Sequence, residues 1–239
     1  MASKLVSVLT LAAAASVVSA QVAASYCDAP SGMCFEGLTD TKLDMTVGVI
    51  LPPVANPPSD EYIVNFVAPT GNGWSGISMS GKMSNSLLFT MWPNNKQIVL
   101  GTRWADGHVL PSPYPGPKIT LLPPSQVNST HVNAVFRCQN CTAWEGGSLA
   151  SGDLTGTADL VYVGSTKSGP EDPSDVNSSF HIHNIFGSLT VDLSQAHSDS
   201  YSQYVSGGSA SSTSTRPSSC SVTHSSTTSS APSSSQSSS

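Results

Sequence analysis

Met83, in Ser80-Gly-Lys-Met-Ser-Asn-Ser-Leu-Leu-Phe-Thr-Met-Trp92, and His183, in Ser178-Ser-Phe-His-Ile-His-Asn-Ile-Phe-Gly187, place a thioether and an imidazole far apart in the chain. One of each closes both axial positions of a haem iron. That leaves no open site for oxygen or substrate and suits electron transfer over bond-making chemistry. Taken singly, neither residue carries this reading, because a methionine beside an apolar run is ordinary core filler. His181-Ile-His183 puts two imidazoles on one face of an extended segment, a spacing that suits copper or zinc. A third ligand is then needed, and the sequence assigns none of His108, His131 and His197 to that role.

Other motifs carry less. Gly71-Asn-Gly-Trp-Ser-Gly76 matches a dinucleotide-binding fingerprint letter by letter. That motif needs a helix N-terminus to hold the pyrophosphate, whereas Trp74-Ser-Gly-Ile-Ser-Met79 alternates like a strand, so the segment reads as a turn. The chain has no Gly-x-Ser-x-Gly elbow, and no carboxylate pair stands out for acid–base work. Five cysteines fall as Cys27 with Cys34, Cys138 with Cys141, and Cys220 alone; two local disulfides and one odd thiol is the simplest arrangement. Cys138-Gln-Asn-Cys141 has thioredoxin-like spacing, but a strand pattern precedes it and no helix pattern follows, which favours a structural disulfide. Thr142 and not His follows Cys141, so covalent c-type haem attachment is excluded and any haem is a non-covalent haem b.

The elements that must position these residues are short strands. Apolar or alternating runs recur at 43–51, 62–68, 74–79, 87–92, 97–102, 118–122, 132–138, 158–163 and 187–193. Pro- and Asn-rich clusters such as Asn56-Pro-Pro58, Asn94-Asn95 and Pro111-Ser-Pro-Tyr-Pro115 separate them. This pattern predicts an all-β antiparallel sandwich or barrel, with residues 194–205 alone showing helical character.

The ends of the chain bound its setting. Lys4, the apolar stretch Leu5 to Val18 and the small-residue site Val18-Ser-Ala20 predict a secretory signal over residues 1–20, with a mature end at Gln21. No other stretch is long and apolar enough to span a bilayer. Export places the cysteines where they can pair. From Gly207 to Ser239, 22 of 33 residues are Ser or Thr, which predicts a disordered, O-glycosylated tail or linker, because such a segment cannot bury enough apolar surface to order itself. Residues 21–206 are then one domain. Within them seven Lys and Arg face fifteen Asp and Glu, which argues against nucleic acid or an anionic membrane as partner. Asn128-Ser-Thr130, Asn140-Cys-Thr142 and Asn177-Ser-Ser179 are N-glycosylation acceptors, in keeping with an exported protein.

Several blocks together resemble a known family. They are Leu87 to Val99 leading into Thr102-Arg-Trp-Ala105, Asn128-Ser-Thr-His131, Val135-Phe-Arg-Cys-Gln-Asn-Cys-Thr-Ala-Trp144, Asp172-Pro-Ser-Asp175 and Ser178-Ser-Phe-His-Ile-His183. Their order and approximate spacing, from Phe35 to Tyr204, are similar to the cytochrome domain of fungal cellobiose dehydrogenases; Phe-Arg-Cys-x-x-Cys-Thr-x-Trp is the most specific block. The resemblance implies an immunoglobulin-like (DOMON-like) β-sandwich holding haem b near one end, with Met83 and His183 as axial ligands. It also implies electron relay from a flavin dehydrogenase to copper polysaccharide monooxygenases, quinones or ferric iron. No flavin domain is present, so the donor is expected in trans, and ferric reductase activity is plausible without a substrate pocket.

Departures from the family pattern are informative. Ser80-Gly81-Lys82 precedes Met83 where relatives commonly have Gly-Gly-Ala, which brings an ammonium close to the site. His108 stands where many relatives carry an aromatic residue and could contact a propionate. Cys27 and Cys34 are additions that would pin the N-terminal loop, and His181 receives no role. The competing reading is a non-catalytic secreted sandwich that binds carbohydrate or a surface through Trp74, Trp104 and Trp144. Burial of those rings would count against it.

Overall fold

Apolar residues alternating over short runs, punctuated by Pro, Gly and Asn, produce strands and little else. The computed structural model describes residues 21–207. The expected leader at 1–20 and, beyond Gly207, the expected tail with Cys220 lie outside the described residues. In chain order the strands are β1 Gln21–Val22, β2 Ala24–Cys27, β3 Cys34–Asp40, β4 Met45–Ile50, β5 Glu61–Pro69, β6 Trp74–Ser78, β7 Leu88–Asn94 and β8 Gln97–Trp104. They continue with β9 Ser112–Pro113, β10 Lys118–Leu121, β11 Gln126–Val127, β12 His131–Gln139, β13 Ala143–Trp144, β14 Gly147–Ser148, β15 Thr157–Ser165 and β16 Ile185–Asp192.

Two sheets stack face to face. The front sheet has the order β1-β16-β15-β6-β7-β8-β9, and the back sheet β10-β12-β5-β4-β3-β2 with β11 beside β12. Every pairing is antiparallel except β1 with β16, which is parallel. The expected antiparallel sandwich is therefore observed.

The core lies between the sheets because alternate residues of each strand face inward. Ile77, Phe89, Met91, Leu160, Tyr162, Leu189 and Val191 from the front meet Val47, Val49, Tyr62, Val64, Phe66, Ala134 and Phe136 from the back. Phe89 and Phe136 touch edge to face across the gap, with centroids 5.0 Å apart. The Tyr162 hydroxyl donates to Asp40 Oδ2 at 2.7 Å, a polar tie between β15 and β3.

The outer faces are covered differently. On the back sheet Phe35, Ile50, Ile63 and Val135 pack against Tyr201 and Tyr204 of a short helix, α1 Tyr201–Val205. On the front sheet a separate apolar cluster of Trp74, Trp92 and Phe180 forms, with Val99 and Val163 against it. The helical expectation for 194–205 is met only in pieces, a 3-10 turn at Leu193–Gln195 and then α1. Between them His197 leaves the helical path to bridge Leu51 and to bond the carbonyls of Pro52 and Leu154. The strands β1 to β3 lack a long apolar alternation and are found only in the structure. There the bonded Cys27 and Cys34 close the β2–β3 hairpin, while Cys138 and Cys141 are joined at the end of β12.

Candidate functional site

The loops that carry Met83 and His183 lie at opposite ends of one three-strand patch of the front sheet. Gly164 of β15 pairs with both Ile185 of β16 and Ser75 of β6, and Val161 pairs with both Ser188 and Ser78. Strands β16 and β6 thus run in the same direction on either side of β15. His183 lies two residues before β16 begins, and Met83 lies in the loop after β6 ends. The interval between the two paired rows is three residues, about 10 Å along the strands.

Each loop is held onto the outer face. Ile77 and Met79 point into the core, so Ser78 points outward; its hydroxyl donates to the Lys82 carbonyl at 2.5 Å and lies 2.9 Å from the Ser86 hydroxyl. Gly81, at φ +70°, packs so closely on Asp159 of β15 that an added Cβ would stand 2.9 Å from the Asp159 Cβ. A positive φ and that contact both favour glycine, and together they fold the Met83 loop back over the sheet. At the other end the His183 ring stands edge-on to Trp74, at 6.5 Å between centroids, and to Phe186, at 6.4 Å. Trp74 Nε1 donates to the His181 carbonyl at 3.0 Å, which fixes the backbone two residues before His183.

Between the two loops the floor is apolar. Phe186, Val163 and Gly76 form one cross-strand row that continues to Thr90 and Gly101. Phe186 is 58% exposed and Ile182 84% exposed, side chains that a flat apolar group lying between Met83 and His183 would cover. Gly76 adds no side chain above the sheet, while Thr90 and Ser80 each carry a buried hydroxyl with no partner in the protein. Burial lowers the pKa of His183, so its imidazole is held neutral, the form that offers a nitrogen lone pair. A half-buried thioether and a neutral imidazole over an apolar, partly open floor fit a non-covalent haem b.

Remaining candidates are dispersed. His131 lies on the back sheet, 3.0 Å from Asp44, and His197 is engaged by carbonyls at the sandwich edge. His108 and His181 are exposed, and among the described residues no group of three His, Cys, Asp or Glu is placed to hold a metal ion. The His181–His183 pair therefore gains no third ligand of those types. Trp74 and Trp144 are buried, and Trp104 is half-buried with its Nε1 bonded to the Glu145 carbonyl, so these indoles form no exposed sugar platform. The Gly71–Gly76 segment leads into β6 and opens no helix. Lys82 is exposed beside Met83.

Sequence reasoning missed Trp92, Phe180, Phe186 and Arg103 as parts of this face. In β16 the residues Ile185, Gly187, Leu189 and Val191 point inward, and Phe186 falls among the outward Ser188 and Thr190. An aromatic residue on the polar phase of a strand is a legible sign of a second apolar surface.

The comparisons with known proteins agree with this geometry. The family model for the cytochrome domain of cellobiose dehydrogenase matches residues 26–203. Over 180 residues the chain is 32% identical to a pyrroloquinoline quinone-dependent pyranose dehydrogenase of Coprinopsis cinerea, covering 74% of this chain and 24% of that protein. It thus spans about a quarter of the length of the relative it matches. Among solved structures, the cytochrome b domain of the Coprinopsis cinerea pyranose dehydrogenase superimposes with a TM-score of 0.70 at 29% identity, covering 78% of this chain and 95% of that one. The cytochrome domain of Myriococcum thermophilum cellobiose dehydrogenase does so with a TM-score of 0.68 at 30% identity, covering 80% and 98%. A sandwich with an apolar outer patch, approached by a methionine loop and a histidine loop, thus belongs to the family of cellobiose dehydrogenase cytochrome domains.

Proposed function

We propose that this chain is a secreted b-type cytochrome that binds haem b between Met83 and His183 and passes single electrons from a dehydrogenase acting in trans to an external acceptor. The observation that carries the reading is that the loops bearing these two residues flank one apolar patch at its opposite ends. When bound, haem b supplies a one-electron ferric/ferrous couple. His183, kept neutral by burial, would hold the group through an imidazole nitrogen, and Met83 would hold it through its sulfur. Phe186, Val163 and Val161 keep water from the floor between them. If Met83 and His183 both held the iron, the group would serve electron transfer alone, the donor losing one electron and the acceptor gaining one.

The relatives' names support a sugar-oxidising dehydrogenase as donor. One names cellobiose and the other pyranoses, and the second depends on pyrroloquinoline quinone, which widens the donor class beyond flavin enzymes. Copper polysaccharide monooxygenases, quinones and ferric iron are the proposed acceptors, the last amounting to ferric reductase activity. Export rests on the leader over 1–20. Asn128, Asn140 and Asn177 are all exposed, as N-glycosylation requires.

The test is a visible absorption spectrum of the protein expressed with ample haem. Sharp low-spin bands on reduction with dithionite are expected, lost in Met83→Ala and in His183→Ala. A folded but colourless protein would sink the cytochrome reading, and retention of the bands in both variants would show that other residues ligate the iron.

A further inference from the structure

The segment 166–184, between β15 and β16, crosses the outer face of the front sheet as a strap and delivers His183 to the site. Its backbone carbonyls are caught by side chains that can only donate hydrogen bonds. Trp92 Nε1 donates to the Pro173 carbonyl at 2.9 Å, and Trp74 Nε1 to the His181 carbonyl at 3.0 Å. Between them Arg103 Nη2 donates to the carbonyls of Val176, at 2.8 Å, and Ser178, at 2.9 Å, while Nη1 reaches the Pro111 carbonyl at 3.3 Å. Arg103 is 2% exposed, and among the described residues it makes no ion pair.

A buried guanidinium is costly, and the hydrogen bonds it makes offset part of that cost. Here two of its three acceptors are strap carbonyls, Asp175 of the strap places a carboxylate in its vicinity, and Nε has no partner in the protein. Its Cζ also lies 5.1 Å from the centroid of Phe180, whose ring packs at 4.4 Å on Trp74, and Trp74 stands edge-on to His183. A continuous set of contacts therefore runs from β8 to the candidate axial imidazole. The neighbouring Gly101 leaves room for Val176, whose Cγ2 would stand 2.6 Å from an added Cβ.

We propose that Arg103 is the positioning residue for His183. Its planar fork fastens the strap at Val176 and Ser178 and seats Phe180 on Trp74, and this fixes where the imidazole stands before any haem arrives. The inference rests on the ligand reading above for its consequence at the iron, but the fastening itself is a property of the haem-free protein.

The experiment compares Arg103→Met and Arg103→Lys with Arg137→Met. Arg137 is a half-buried arginine paired with Glu61 on the back sheet at 2.5 Å, and its loss should destabilise the sandwich without touching the strap. In the haem-free proteins, amide hydrogen exchange over 174–184 is expected to quicken about tenfold or more in Arg103→Met, as loss of a charge-assisted hydrogen bond implies. Arg103→Lys, which keeps the charge but loses the fork, should restore that protection only in part. Arg137→Met should leave it unchanged.

In the haem-loaded proteins, Arg103→Met should lose a large part of its low-spin bands well below its melting temperature and regain them on addition of imidazole. Unchanged strap protection in Arg103→Met overturns the proposal. So does equal loss of protection and of low-spin bands in Arg137→Met, because general destabilisation would then explain both. If Arg103→Met fails to fold, full protection in Arg103→Lys overturns it and partial protection supports it. If the unmodified protein binds no haem, the ligand reading fails while the exchange measurement still decides the role of Arg103.

Discussion

The loops bearing Met83 and His183 lie at opposite ends of one outer-face patch because of where their neighbours point. Ser78 and Gly81 bend one loop over the sheet, and Trp74 holds the other, so neither candidate ligand depends on its own side-chain preferences alone. Lys82 is the residue whose presence most distinguishes this site from the usual family pattern. A cation near the iron favours the ferrous state, which carries one positive charge fewer, so Lys82→Ala should lower the reduction potential. The shift should be largest at low ionic strength and shrink as salt screens the exposed ammonium; protein-film voltammetry at two salt concentrations checks both parts. Trp74→Phe keeps an aromatic ring on Phe180 but removes the N–H that bonds the His181 carbonyl. It is expected to cost about 1 kcal/mol in stability by denaturant titration and to broaden the low-spin bands.

The elements hold together through polar and steric details inside the sandwich. Asp40 of β3 is buried, which opposes its ionisation. The hydroxyl of Tyr162 and the backbone N–H groups of Leu43 and Lys42 outweigh that and draw its pKa below the usual aspartate value. A carboxyl whose folded-state pKa is lowered stabilises the fold above its unfolded pKa, and that contribution disappears as pH falls through the lowered value. Thermal melts of Asp40→Asn should therefore lie below those of the parent protein at neutral pH, with the gap narrowing below about pH 4. Burial and the Asp40 carboxylate in turn raise the Tyr162 pKa, which keeps its hydroxyl a donor. Gly187 of β16 faces the Tyr162 ring so closely that an added Cβ would stand 2.3 Å from it. Gly187→Ala is expected to cost roughly 1–3 kcal/mol by displacing that ring, read as a lower denaturation midpoint.

Much of this scale was legible in advance. Runs such as 62–68 and 132–138 became β5 and β12 because one or both faces of each strand are buried, and 97–102 became β8, whose Ile98 and Leu100 pack half-buried against the core. The strands β2 and β3 were not legible, since Tyr26 and Phe35 sit among Gly, Ser and Asp and are held by pairing and a disulfide more than by apolar periodicity. The ligand candidates were legible only through family resemblance. The placement of their loops at opposite ends of one patch depends on β6 and β16 running in the same direction on either side of β15, which no local pattern encodes.

At the scale of the whole molecule the two outer faces divide the work. Tyr201 and Tyr204 seal the back sheet, on the opposite side of the sandwich from the proposed haem patch, so Tyr204→Ala should cost about 3 kcal/mol or more of stability and leave the spectrum of the loaded protein unchanged below its melting point. The strap closes part of the front face and leaves the Phe186 side open. The chain carries a formal net charge of −6, so a redox partner with a basic docking face should meet it faster as ionic strength falls.

The short parallel strand β1 has a consequence of a different kind. Gln21 and Val22 lie beside Leu189 and Thr190, Ala23 donates to the Thr190 carbonyl, and the Gln21 side chain reaches the Tyr162 hydroxyl at 3.3 Å. These few residues occupy the free edge of β16, the strand that follows His183. An uncovered edge is a template for another strand, so a protein lacking residues 21–24 would offer β16 to a neighbouring molecule. Loss of those residues would then raise the protein's tendency to self-associate, through the strand that directly follows the His183 loop.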